Sequence, residues 1–328
     1  MIEDQERPLV TFALFAYNQE QFIREAVEGA LNQDYAPLEI ILSDDSSTDR
    51  TFEIMKEMAF EYTGTSIIVL NRNMKNLNIG GHINTVMQLA QGELVVVAAG
   101  DDISLPNRVT TLVKAWITEK RQPDLLCSDY IAINKSSLII GEGKGCKPEQ
   151  LNANTMASFG YGVLGATAAW TKSLWKGYNT LPENLVHEDV VMPFRAVMKG
   201  GIKYVQTALV LYRQNVSTWV PRSETTSPIE MQKRTLTLSY NAIITANTQI
   251  ADATKANRLE LIPYITKRLH INRIVTMIYR KKIGIFSVFL QSFSCIARSK
   301  PIVKALTQIH LPAIHKFILN RRKIIEKL

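Results

Sequence analysis

The stretch Leu94-Val95-Val96-Val97-Ala98-Ala99-Gly100-Asp101-Asp102 decides the fold. The apolar run Leu94 to Ala98, three of its members valine, predicts a strand buried on both faces. Gly100 ends the strand, and two carboxylates follow at once. In an open α/β sheet, ligands bind just beyond the carboxyl ends of the strands. The acidic pair therefore stands at the rim of a buried sheet, where it suits a divalent cation and, through it, a phosphate. The same residues also fit an Asp-rich turn ahead of the helical pattern that Pro106 opens. The neighbouring segments have to decide.

Upstream, Pro8 to Phe15 reads as an apolar strand that gives way to Ala16-Tyr17-Asn18-Gln19-Glu20. A helical pattern follows through Ile23, Val27 and Leu31. A second strand, Leu38 to Leu42, runs into Ser43-Asp44-Asp45-Ser46-Ser47-Thr48-Asp49, and the next helix reaches Tyr62. Ser66 to Leu70 is a third strand, and Gly80-Gly81 leads a helix carrying Ile83, Val86 and Met87. This alternation of strand and helix at short spacing predicts parallel βαβ units. Tyr17, Asp44 and Asp101 each follow or end a strand, so they fall at one edge of one sheet. Polar loops converging on one rim make a binding crevice.

Downstream, the pattern predicts a helix over Val109–Ile117, a hairpin from Asp124–Ile133 and Ser137–Ile140, and a polar loop from Gly141 to Met156. The run Gly160 to Trp170 is Gly-rich and small, fitting either close backbone approach to a ligand or tight packing. In His187-Glu188-Asp189-Val190-Val191-Met192-Pro193, proline is tolerated only in the first helical turn, so a helix starts at Glu188 or Asp189. The positive end of its dipole is expected to keep both carboxylates ionised. Ile202–Val205 and Ala208–Tyr212 read as two short strands. From Pro228 onward helical patterns take over, Met231 to Ala256 and Arg258 to Lys282.

At 328 residues, 46% hydrophobic and 21% charged, the chain is an ordered globular protein with room for two domains. The change of pattern places one at 1–220 and a helical region at 221–328. The net charge of +8 hides an asymmetry: residues 265–328 carry 14 Lys and Arg against Glu326 alone, while the first 264 residues are mildly acidic. Three scattered cysteines show neither metal spacing nor a disulfide framework, which favours a reducing cytosolic setting. The acidic N-terminus lacks the apolar run of a signal peptide. Ile283 to Ala297 is too short to span a bilayer. With Phe286, Phe289, Phe293 and flanking basic clusters it fits a helix lying on anionic lipid. Nucleic acid is not expected as a partner, because the tail lacks a recognised motif and the body is acidic.

Taken together, Phe15-Ala16-Tyr17-Asn18, Asp44-Asp45-Ser46-Ser47-Thr48-Asp49, Asn78-Ile79-Gly80-Gly81 with Asn84, Ala99-Gly100-Asp101-Asp102 and His187-Glu188-Asp189 make the chain resemble the family 2 glycosyltransferases. The resemblance covers roughly residues 8 to 220. It implies the GT-A fold: a Rossmann-like, mostly parallel α/β sheet flanked by helices, here with a C-terminal helical extension. It implies an inverting transferase that moves a sugar from a UDP- or dTDP-sugar to a hydroxyl of a saccharide acceptor, lipid-linked in many relatives, in cell-surface polysaccharide synthesis.

By the same resemblance Ala16, Tyr17, Asn18, Asp44, Asn84, Asp101 and Asp102 surround the donor, Asp44 on the base. Asp101 holds a divalent metal, Mg²⁺ or Mn²⁺. Asp189 is the catalytic base, and Glu188 lies on the acceptor side or supports it. A cytoplasmic enzyme is implied, peripheral at the inner face of the membrane through 265–328, with a homo-oligomer left open.

The departures are specific. Ala99 replaces the first carboxylate of the Asp-x-Asp element, and Gln214-Asn215 follow Tyr212-Arg213 where relatives often carry a histidine. The Gln-x-x-Arg-Trp element and multiple membrane spans of processive synthases are not found. Two other readings stay open: a nucleotide-sugar-binding protein without transfer activity, and a sugar nucleotidyltransferase. The latter would need a Gly-rich, Arg-bearing loop after the first strand. No G-x-G-x-x-G follows that strand, which argues against a dehydrogenase.

Overall fold

The computed structural model describes residues 7–214 and 228–280, together with Pro301. Strand β1 (Val10–Ala16), helix α1 (Ile23–Leu31), β2 (Leu38–Asp44), α2 (Thr51–Glu61), β3 (Ile67–Arg72), α3 (Asn78–Leu89) and β4 (Leu94–Ala99) follow one another in the expected alternation. The central strands pair in parallel in the order β3-β2-β1-β4. Register places Ala16 beside Asp44, and Phe15 beside Ala99, so the three polar loops open on one edge.

The valine-rich run is buried on both faces, as its composition requires. Leu94 and Val96 pack with Phe12, Leu14, Val27 and Val109 on one side of the sheet. Val95 packs with Ala13, Ile41, Met87 and Trp170 on the other. Full burial of each such side chain stabilises the fold by about 1.5–3 kcal/mol.

Beyond β4 come β5 (Ile103–Ser104), α4 (Arg108–Thr118), β6 (Leu125–Ile133), β7 (Ile139–Gly143), α5 (Ala153–Phe159), β8 (Ala168–Thr171), α6 (Lys172–Gly177), α7 (Glu188–Val197) and β9 (Ile202–Arg213). The sheet continues β4-β8-β6-β9-β5, with β7 on β6. β8 is antiparallel to β4 and β6, whereas β6 and β9 are parallel. β5 and β7 are also antiparallel to their partners, so six of the nine strands run one way among the described residues. β6 and β7 form the expected hairpin.

The small-residue run, left open between ligand approach and tight packing, ends in a buried sheet strand, β8, where the sequence carries too short an apolar segment to announce one. Two expectations are corrected. The two strands expected after Gly201 are one, β9, which keeps pairing with β6 through register shifts near Asp129. The loop expected from Gly141 to Met156 begins inside β7 and ends inside α5.

The C-terminal helices α8 (Pro228–Lys255) and α9 (Ile262–Tyr279) pack against α5 and α7. Phe194, Ala246, Ala253, Ile265 and Met156 share one apolar cluster. Within it, Arg195 of α7 and Asp252 of α8 form a fully buried bidentate pair at 2.7 and 3.0 Å. Stretches on either side of residue 220 therefore share a core. No helix of the described residues is long and apolar enough to cross a membrane. The interfacial segment expected at Ile283–Ala297 lies outside the described residues, as does most of the basic tail.

Candidate active site

A cavity of 430 Å³ opens at the carboxyl edge of the parallel strands. Its wall combines Ala16 at the end of β1, Tyr17 after it, Asp45 after β2, His82 of α3, Ala99 at the end of β4, and Glu188 at the start of α7. The volume suits a small-molecule ligand.

The loops after β1 and β2 are laced together. Asn18 sits at φ 52°, a left-handed conformation that Asn tolerates. Its Oδ1 accepts the Thr48 N–H at 2.8 Å, and its own N–H donates to Ser47 Oγ at 2.9 Å. Asp44 is fully buried. Its carboxylate accepts the Ser47 N–H at 2.9 Å and the Ser47 hydroxyl, and meets Arg72 at 3.4 Å. Asp45, which the motif alone did not single out, is the member of the pair that lines the cavity. Its Oδ1 takes the Leu77 N–H at 2.9 Å and the Asn73 amide at 2.7 Å.

His82 was also missed. It hydrogen-bonds Ser43 Oγ at 2.6 Å and meets the Phe15 ring edge-on at 5.0 Å. Burial pushes its pKa down to about 4, against the charges of Asp45 and Asp44, so it is a neutral group at pH 7. The signal was present as a polar residue directly after Gly80-Gly81.

Asn84 does not face the cavity wall. Its amide donates to Leu181 O at 2.8 Å and its Oδ1 accepts the Leu181 N–H at 3.0 Å. Nearby, the Gly80 N–H donates to Leu185 O at 3.1 Å, and a Cβ on Gly80 would fall 2.0 Å from Pro182 O. Asn84 and Gly80 thus clamp the segment that feeds α7.

At the end of β4, Asp102 is buried and its Oδ1 accepts the Arg213 N–H at 2.7 Å. Arg213 Nε donates to Asp101 O at 2.9 Å. The rest of its guanidinium is spent on Asn134 O, Lys135 O, Ser137 Oγ and Glu25. Burial raises the pKa of both carboxyls, and the charge of Asp101 adds to the rise at Asp102, which reaches about 8. Gln19 hydrogen-bonds Asp101 and lowers it in part.

The described residues contain no cluster of three or more His, Cys, Asp and Glu able to hold a metal. No Lys or Arg among them lines the cavity.

Helix α7 is built around Pro193. The helix begins at Glu188, so Pro193 lies in the second turn rather than the first. Proline has no N–H to give the carbonyl four residues back. That carbonyl is Asp189 O, and it accepts the Val163 N–H at 3.0 Å instead. Gly162 makes the approach feasible: a Cβ there would lie 2.0 Å from the same oxygen.

The side-chain Oδ1 of Asp189 is buried with no hydrogen-bond partner. Burial raises the Asp189 pKa to about 6, against the N–H groups of its own residue and Val190. Burial and the charge of Asp189 raise Glu188 to about 8. For Glu188 the expectation that the helix terminus keeps it ionised is corrected, because desolvation outweighs the dipole, whereas Asp189 at about 6 stays mostly ionised at pH 7. One carboxylate that titrates near neutrality beside a cavity is what proton abstraction needs.

Residues 11–148 match the family model described as Glycosyl transferase family 2. A Bacillus subtilis (strain 168) protein named glycosyltransferase EpsE is 28% identical over 67% of this chain and 78% of its own length. The Escherichia coli chondroitin synthase is 29% identical over 64% of this chain, which spans 30% of that longer protein. Among solved structures, S. aureus TarS 1-349 in complex with UDP-GlcNAc superposes with a TM-score of 0.53 at 16% identity, covering 92% of this chain and 81% of that one. Residues 11–148 are a family 2 glycosyltransferase domain, carried on the GT-A fold.

Proposed function

We infer that the chain transfers a sugar from a nucleoside diphosphate donor to a hydroxyl of a saccharide acceptor, with inversion, in surface polysaccharide synthesis. The observation that carries this reading is the buried, unpartnered Asp189 Oδ1, on the residue that follows the cavity-lining Glu188 and on a carboxyl whose pKa stands at about 6. In the reaction the acceptor oxygen bonds to the anomeric carbon while the bond to the diphosphate breaks. The leaving diphosphate keeps the electron pair, and the hydroxyl proton passes to Asp189 Oδ1. Tyr17, 40% exposed at the cavity wall, offers a face for the base. Asp45 stands at the same wall with a fixed carboxylate, while Asp44 behind it holds the loop. A divalent cation, Mg²⁺ or Mn²⁺, bound by Asp101 would neutralise charge on the diphosphate.

The basic tail supports a membrane-surface location and a lipid-linked acceptor, since clustered Lys and Arg are drawn to anionic lipid. A panel of UDP- and dTDP-sugars, assayed for transfer with and without Mn²⁺, tests the reading. Turnover that requires Asp189 supports it. Nucleotide-sugar binding with no transfer to any saccharide acceptor would assign the chain to donor binding alone.

A further inference from the structure

Phe159 closes α5 and Tyr161 follows one residue later. Their rings stack at 5.4 Å with a 25° tilt, yet Phe159 remains 65% and Tyr161 37% exposed. Neither belongs to the donor cavity wall. The glycine between them, Gly160, takes φ +70°, and a Cβ there would press on Arg268 at 2.8 Å. Arg268 of α9 donates to Met156 O at 2.9 Å and Ala157 O at 3.2 Å, capping the end of α5. The pair is therefore held at its base by the C-terminal helices while its outer faces stay open.

The chain then runs directly past the base. Gly162 packs on Asp189 O, Val163 N–H donates to it at 3.0 Å, and Gly165 reaches the donor cavity. At about 3.8 Å per residue, Tyr161 lies within about 15 Å of Gly165. Along this segment the contacts with Asp189, at Gly162 and Val163, fall between Tyr161 and the cavity-lining Gly165. In an inverting displacement the acceptor enters from the base's side, so this is the acceptor's approach.

We propose that Phe159 and Tyr161 form a platform for a pyranose ring of the acceptor saccharide. The proposal rests on the transferase reading and adds to it the site that holds the substrate. Aromatic faces carry negative charge density and attract the positively polarised C–H face of a sugar, while hydroxyls at the ring's rim stay in water. Mutual stacking limits the rotamers of both side chains, so little ordering cost remains for binding. An exposed aromatic alone is ordinary. A stacked, anchored pair on the strap that grips the catalytic helix is a built surface.

The test uses the full chain with UDP and Mn²⁺ and, as probes, the methyl glycosides of glucose, galactose and N-acetylglucosamine. Saturation-transfer NMR should show the C–H protons of one ring face in contact with the wild type. Tyr161→Phe should retain the contact, and Phe159→Ala/Tyr161→Ala should lose it. In transfer assays the double variant should raise the acceptor KM about tenfold, with UDP affinity changed less than about twofold. Melting curves matching the wild type confirm that the variants fold.

An unchanged saturation signal and acceptor KM in the double variant overturn the platform. So does loss of binding to anionic vesicles with the glycoside contact intact, which would assign the rings to lipid. If the wild type neither binds UDP nor consumes any sugar nucleotide, the transferase reading itself fails. The two failures are thus separable.

Discussion

Two acidic pairs stand near the same edge of the sheet under opposite terms, with Glu188 the one of the four that lines the cavity. Asp101-Asp102 follows a central strand, and Asp102 is tied down: Oδ1 takes the Arg213 N–H, and Arg213 also grips the Asp101 carbonyl. Glu188-Asp189 opens a helix, and an oxygen of Asp189 has no partner. Burial raises the pKa of all four carboxyls. What separates the pairs is compensation. A carboxylate fixed by hydrogen bonds holds position, whereas one left without a partner keeps its capacity for a proton. The first pair is suited to anchoring a charged ligand, the second to chemistry.

The largest effect that would break this comparison is at Asp189. Asp189→Asn should lower kcat by about 10²–10⁴-fold with UDP affinity retained. Near-normal turnover would remove Asp189 from the base role. Next, Asp101→Ala should weaken donor binding in Mn²⁺ by roughly tenfold or more, and EDTA should weaken the wild type alike while leaving the variant unchanged. Equal UDP affinity with and without metal, read by calorimetry, would return Asp101 to a structural role.

The pH dependence sharpens the contrast. An essential base near 6 gives a kcat/KM profile that rises through about pH 6. Stability should move the other way. Glu188, raised to about 8, contributes stability that is present below its ordinary value of 4.5 and lost as pH climbs to about 8. The melting temperature should therefore fall over that window, and Glu188→Gln should flatten the fall. The smallest effect is expected at Asn84→Ala, which removes both bonds to Leu181: a loss of about 1–2 kcal/mol in denaturant titrations, with a modest drop in kcat.

The parallel half of the fold was legible because its strands are continuous apolar runs and its helices follow at regular spacing. Placing Asp101, Asp44 and Tyr17 on one edge needed nothing more. Which of Asp44 and Asp45 lines the cavity was not legible. Side chains alternate along a strand, but β2 is buried on both faces, so composition carries no sign of which way its last residue points. β8 was hidden because its four residues become a strand only between β4 and β6. The contact of Asn84 with Leu181 spans 97 residues, beyond any local pattern. The start of α7 was found through Pro193, although the premise was inexact. The proline stands in the second turn, and its cost is met by a bond from outside the helix.

That bond has a consequence for hydrogen exchange. In an uninterrupted helix the Asp189 carbonyl would be satisfied from within, and the 160–165 strap would have no claim on it. Here the Val163 amide is sealed by α7 itself, so its deuterium uptake reports the opening of α7 from a neighbouring segment. Protection at Val163 should track that of the α7 core amides. Pro193→Ala, by restoring an internal donor, should leave α7 slower to exchange and the Val163 amide faster. The strap would then be uncoupled from the residue it positions.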